Sequence, residues 1–346
     1  MLNRFLCCIP VLTGIFASQV NAQLGEIVDT EYVANGLQNG AIVWDVRDAE
    51  KYKSAHIPGA VNIGAITTVL RDPIKEDWLL KAQIEDVLGK AGLDLANNEV
   101  IVYAGTGDPT AYFGLLTVRY FGGKSGKVYH GGIDAWKAAG RPVAAEPSQL
   151  EPVVLKLKTQ ENVVVWTDEV VRKIADARSG KVQIVDVRLP PEFSGQIINA
   201  IRGGHIPGAV NIPLGENFKV PPTPSEIASG ECASPDGLAL KPAADLRKLY
   251  AKLDRNKETL VHCQSGVRAS ETVTLLRDLG FKDVRLYKPG WLGYAGVLSA
   301  PADDETFVNI GALNAQIRML QVRIEKLERE MATSKDEKVD RTDQRD

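Results

Sequence analysis

The chain has 346 residues, enough for about two domains of ordinary size. Its 44% hydrophobic and 25% charged residues are those of a globular protein, which excludes collagen-like, wholly disordered and polytopic membrane classes. With 41 basic against 44 acidic residues the net charge is -3, so nothing favours a nucleic-acid partner, and four cysteines are too few for a disulfide scaffold.

Residues 1–22 read as a secretory signal peptide. Arg4 supplies the positive n-region, Phe5 to Ala17 the apolar stretch, and Val20 and Ala22 flank Asn21 ahead of a cleavage site. The alternative is a membrane anchor. The apolar stretch falls short of the ~20 residues of a spanning helix and is interrupted by Pro10 and Gly14. Cleavage would remove Cys7 and Cys8 and leave Cys232 and Cys263, with no integral membrane span. The expected location is periplasmic or secreted, where thiols meet oxidising conditions.

The rest of the chain is an internal repeat. Residues 42–63 and 184–212 share Asp-Val-Arg (Asp45–Arg47 and Asp186–Arg188) and the run HIPGAVNI (His56–Ile63 and His205–Ile212). The second copy carries eight more residues between these motifs. Val100–Gly122 parallels Leu260–Phe281, and Val128–Gly132 parallels Leu286–Gly290. Two homologous domains follow, at 23–147 and 160–300, joined by a linker at 148–159 bordered by Pro147 and containing Pro152.

In the second copy the pattern predicts helix over 168–177 with Thr167 as its cap, strand over 182–187, and strand over 209–212. Next come helix over 243–253, strand over 259–262, helix over 269–279 and strand over 284–287. Continuous apolar strands alternating with helices predict an α/β fold, each domain a parallel sheet with helices on both faces. Ligands of such sheets sit beyond the carboxyl ends of the strands.

D-V-R, E-F, G-H-I-P-G-A-x-N-I and a strand ending in a Cys-containing loop together resemble the rhodanese family, and two such domains resemble its tandem sulfurtransferases. The loop is Cys263-Gln264-Ser265-Gly266-Val267-Arg268, between a strand and a helix. Consecutive backbone N–H groups there form an anion nest, and the helix N-terminus adds positive potential. Both favour thiolate over thiol. Gly266 permits the turn, and Arg268 is a cation suited to the anionic end of a donor. The resemblance implies a ping-pong reaction: Cys263 takes sulfur from a small donor as a persulfide and yields it to a thiol or cyanide acceptor. It implies no cofactor, and no metal motif is present in the sequence.

The alternative of a phosphatase is disfavoured because Cys-x4-Arg is a residue shorter than the phosphatase loop. The first domain has Ala104 at the Cys263 position, so it is expected to be catalytically silent. Gln264, Ser265, Gly266, Val267, Arg268 and, from the eight-residue insertion, Arg202 are the expected substrate-binding residues. Asp186, Arg188 and His205 recur in the silent copy, which points to bracing of the fold. His262 is adjacent to Cys263 but should face the other side of its strand. Cys232, in the insertion Phe218–Pro242, is a candidate redox partner for Cys263.

Ile310, Leu313, Ile317, Leu320, Ile324, Leu327 and Met331 alternate spacings of three and four. With Ile at a and Leu at d, this predicts a C-terminal coiled-coil helix and a homodimer through 310–331, followed by a charged, disordered tail. The alternatives to an enzyme are a carrier that holds a persulfide without turnover, and a coiled-coil scaffold with a vestigial site.

Overall fold

The computed structural model describes residues 25–223, 237–308 and 318–329. The expected signal peptide, Cys232, the charged tail and most of the seam, including Ile310, Leu313, Ile317 and Met331, lie outside the described residues.

In the first repeat the strands are β1 (Ile27–Val28), β2 (Ile42–Asp45), β3 (Val61–Asn62), β4 (Glu99–Tyr103) and β5 (Ser125–Tyr129). They form one parallel sheet in the order β1-β5-β4-β2-β3. The second repeat has β6 (Val164–Val165), β7 (Gln183–Asp186), β8 (Arg202–His205), β9 (Ala209–Asn211), β10 (Thr259–His262), β11 (Val284–Tyr287) and β12 (Asp303–Phe307). Its parallel sheet, β6-β11-β10-β7-β9, repeats the order of the first. The central strands are buried from Val100 to Tyr103 in β4 and along all of β10, as sheets covered on both faces require.

The eight extra residues of the second repeat supply β8, which pairs antiparallel with β12 near the end of the body. The helix expected over 168–177 is broken at Lys173 into Thr167–Arg172 and Ile174–Arg178. Thr167 is its first helical residue rather than its cap, which is Trp166. The Thr167 hydroxyl instead bonds the Tyr287 hydroxyl at 3.0 Å, so a tertiary partner wins over the local backbone. The helix expected over 243–253 stops at Leu249, and that expected over 269–279 runs Val267–Asp278.

The repeated motifs brace the sheets. Arg47 forks onto Asp45 (Nε–Oδ1 2.9 Å, Nη2–Oδ2 2.6 Å), and Arg188 forks onto Asp186 (3.0 and 2.6 Å). The Asn of HIPGAVNI then donates to both carbonyls of that pair: Asn62 to Asp45 and Arg47, Asn211 to Asp186 and Arg188. The His of the motif stacks on an aromatic ring, His56 on Tyr52 and His205 on Phe193.

The two domains meet through the helices Pro109–Tyr120 and Val267–Asp278, which pack on each other. Each is buried along most of its length, between its own sheet and the other helix. The segment 148–159 is no loose linker. Leu155 and Leu157 are buried, and Val153 N–H donates to Gly89 O at 2.9 Å, so it lies along the first domain.

After HIPGAVNI each domain reaches across to the other. The first domain's strap, residues 70–78, reaches the Cys263 loop, where Arg71 donates to Ser265 O. From the second domain, Leu238, in the described segment that resumes at residue 237, reaches the Ala104 loop, where its carbonyl accepts from His130 Nε2 at 2.8 Å. That bond puts the proton on Nε2, so Nδ1 accepts from the Tyr112 hydroxyl at 2.7 Å.

Burial pushes the His130 pKa from 6.5 down to about 4. Its contribution to stability is therefore complete above the unfolded value and is lost as pH falls from about 6.5 toward 4. The loss should reach about 3 kcal/mol. Urea unfolding of wild type and His130→Gln at pH 7 and pH 4 checks this. The variant should lose less stability than the wild type over that interval, by about that amount.

Candidate active site

Cys263 follows β10 at the carboxyl end of the second sheet and is 2% exposed. Its loop is bound on the outside through its carbonyls. Trp291 N–H donates to Cys263 O at 2.8 Å and Leu292 N–H to Gln264 O at 2.9 Å, both from the start of the helix Gly290–Ala295. That approach requires Gly290, because a Cβ there would meet Cys263 O at 2.5 Å. On the inside, Gly266 N–H donates to Cys263 Sγ at 3.2 Å. Gly266 caps the helix Val267–Asp278 in the left-handed conformation, φ 94°. So the thiol sits at the start of a twelve-residue helix, facing an amide.

Gln264, Ser265, Gly266 and Val267 lie in this loop as expected. Gln264 Nε2 donates to Asn199 O at 2.8 Å, tying the loop to the insertion. Ser265 is buried, with its carbonyl held by Arg71 at 3.3 Å. Val267 opens the helix.

Arg268 has a partner that was not anticipated. Its guanidinium forks onto Glu192, Nη1–Oε2 and Nη2–Oε1 both 3.0 Å. Burial opposes the ionisation of Glu192, but the Arg268 hydrogen bonds and charge outweigh it and hold the carboxyl below its ordinary range. Glu192 also accepts from Leu189 N–H at 3.1 Å, a capping contact for the short helix Pro190–Phe193. A donor's anionic end would meet an Arg already neutralised by a carboxylate.

Arg202 is a correction. It lies in β8, fully buried, with Nη1 on Ala300 O (2.9 Å) and Glu305 Oε1 (2.5 Å), and Nη2 on Val297 O (2.9 Å). It ties β8 to the end of the domain and does not join the Cys263 loop. Cys232, the candidate redox partner, lies outside the described residues. His262 donates from Nδ1 to Cys263 O at 3.1 Å, and its ring is buried 3.6 Å from Asp186. Burial pushes its pKa down, so it supports the loop as a neutral ring.

Two residues near the site were not anticipated, Glu192 and Lys288. Lys288 immediately follows β11, with its side chain buried. The available signal was the repeat itself: a strand is followed by Lys288 where the first copy has His130.

The silent loop keeps the geometry and fills it differently. Ala104 stands at the cysteine position, and Gly107 keeps the positive φ of Gly266. Thr106 N–H donates to the Asp134 carboxylate at 2.9 Å, and Asp108 caps Thr110 N–H at 2.9 Å. A cleft of about 550 Å³ runs between this loop and the second domain, where Leu214, Phe218, Leu238 and Arg268 line it. Among the described residues no group of three His, Cys, Asp or Glu side chains is placed to hold a metal, and no helix is long and apolar enough to cross a membrane.

Residues 29–139 and 168–296 each match the model of the rhodanese-like domain. A thiosulfate sulfurtransferase of Corynebacterium glutamicum is 30% identical over 302 residues, covering 84% of this chain and 89% of that protein. A sulfur carrier protein of Thermus thermophilus is 27% identical over 289 residues, covering 80% and 95%. Among solved structures, the anaerobic ergothioneine biosynthesis enzyme of Chlorobium limicola superposes with a TM-score of 0.68 at 21% identity, covering 83% of this chain and 72% of that one. This last likeness speaks for the fold alone.

Gly266→Ala should destabilise the protein by at least about 2 kcal/mol, combining a disfavoured φ with crowding of the Lys288 carbonyl. An ideal Cβ at 266 would lie 2.7 Å from that carbonyl. Chemical unfolding of the two proteins measures the difference.

Proposed function

The chain belongs to the rhodanese family and is a sulfurtransferase; we propose that it is an exported one working through a Cys263 persulfide. The carrying observation is the Gly266 N–H directed at Cys263 Sγ from the N-terminus of a long helix. A small anionic donor such as thiosulfate fits this site. The Cys263 thiolate attacks the outer sulfur, an S–S bond forms, and sulfite leaves with the electron pair of the broken bond. The persulfide carries negative charge on its outer sulfur, which the loop amides and helix N-terminus stabilise. A thiophilic acceptor, cyanide or a thiol, then attacks that sulfur and releases the Cys263 thiolate. Resemblance to C. glutamicum thiosulfate sulfurtransferase supports this donor class. A second reading, a carrier that passes the persulfide to a docked protein, is favoured by the 2% exposure of Cys263 and the similarity to the Thermus sulfur carrier.

Residues 1–22 support export, to the periplasm or beyond. The helix at 318–329 supports a homodimer through 310–331. Leu320, Ile324 and Leu327 are 59, 54 and 48% exposed there, so among the described residues these three seam positions are uncovered.

Reduced protein incubated with thiosulfate should gain about 32 Da at Cys263, and cyanide should remove it. Cys263→Ser should show no gain. Steady turnover with cyanide supports the enzyme; a stable adduct released only to a protein partner supports the carrier. For assembly, light scattering should give twice the chain mass for the mature protein and the single chain mass after truncation at residue 308.

A further inference from the structure

Lys288 immediately follows β11 where the second domain meets the first, and its side chain is 0% exposed. A buried ammonium needs partners built for it. They all come from the silent domain. Nζ donates to Glu76 O at 3.0 Å and pairs with Asp77 Oδ1 at 3.2 Å. It lies 5.1 Å over the Trp78 ring and 5.7 Å over the Phe113 ring. Arg71 converges on the same Glu76 carbonyl and also donates to Ser265 O. Glu76 itself holds a left-handed backbone, φ 53°, rare for a residue with a side chain. The strap is therefore held in a strained form by two cations, both of which also touch the Cys263 loop.

The second contact of Lys288 is its stem. A Cβ on Gly266 would come within 3.0 Å of Lys288 Cδ and 2.7 Å of its carbonyl, so Lys288 lies directly against the residue whose amide meets Sγ. Burial moves its ammonium toward the neutral form, to about 8, with Asp77 opposing and Arg71 assisting; the Cys263 sulfur is among the groups that favour its charge.

We propose that Lys288 is a positioning residue, through which the silent domain's strap holds the Gly266 amide on the sulfur of Cys263. The proposal rests on the persulfide reading above. It gives the first domain a part in the reaction without chemistry of its own. His130 occupies the equivalent place and grips Leu238 of the second domain, so the clamp is common to both domains and only the second clamps a nucleophile.

The test uses Lys288→Met, which keeps the stem and removes the charge and donor, and Asp77→Asn, in the full mature chain. Two readouts are taken: kcat and donor KM with thiosulfate and cyanide, and the rate at which iodoacetamide alkylates Cys263, followed by mass. Lys288→Met should lower kcat about tenfold or more, with KM within about twofold, and slow alkylation in parallel. Asp77→Asn should do the same more weakly, and the double variant should be no worse than Lys288→Met. Wild-type kcat in Lys288→Met overturns the proposal. Faster alkylation, the mark of a loop that has simply opened, also overturns it. If Lys288→Met fails to fold, Asp77→Asn decides by the same two readouts. If the wild type takes up no sulfur from any donor, the persulfide reading fails, and the alkylation rates still decide the role of Lys288.

Discussion

The Gly266 amide reaches the sulfur of Cys263 only because residue 266 turns into the left-handed region, φ 94°. The surroundings are arranged to hold that turn. The carbonyls of Cys263 and Gln264 are drawn outward by Trp291 and Leu292 N–H groups. With the carbonyls fixed on one side, the amides of a tight loop are left on the other. Gly290 lets the helix start come close enough to do this, and Lys288 occupies the space where a Gly266 side chain would go. The surroundings of the Cys263 sulfur are thus set by a backbone conformation, and neighbouring side chains act by keeping that conformation.

The internal repeat separates scaffold from chemistry. What both copies share is bracing: the Asp–Arg fork, the Asn that ties its two carbonyls, and the stacked His. These were legible because the motifs recur at matching places, and the parallel sheets were legible because buried strands read as continuous apolar runs. The expected strands 259–262 and 284–287 coincide with β10 and β11. The Cys263 loop was legible for the same reason, since Ala104 marks by contrast what the live copy has gained.

What sequence could not supply was partnership across long separations. Periodicity reports which face a residue occupies, not which side chain it meets. Arg202 was assigned to substrate because its insertion is unique to the live domain. The insertion instead forms β8, and Arg202 meets Glu305, 103 positions away. Arg268 was assigned to the donor, and Glu192, 76 positions away, takes its guanidinium. Thr167 gave up its capping role to a hydroxyl 120 positions on. Each reading was locally sound, and in each case the structure adds a tertiary partner that local pattern does not report.

The neutralised Arg268 changes how the site's electrostatics should be viewed. A forked, mostly buried guanidinium–carboxylate pair presents a dipole rather than a net cation. In the proposed persulfide, stabilisation of the anion would then fall to the backbone: the Gly266 amide and the start of the helix Val267–Asp278. The silent loop makes the converse point. It has the same turn and a helix of the same length behind it, yet Gly107 N–H, the counterpart of the Gly266 amide, donates to His130 O at 3.1 Å, and Thr106 N–H and Thr110 N–H donate to Asp134 and Asp108. With that amide taken by a carbonyl and two carboxylates beside it, this loop differs from the Cys263 loop by more than the absence of a thiol at position 104. What the first domain retains is grip. Its strap holds Ser265 and Lys288, as the second domain's Leu238 holds His130, so each domain fastens the loop of the other although only one of the two loops carries a cysteine.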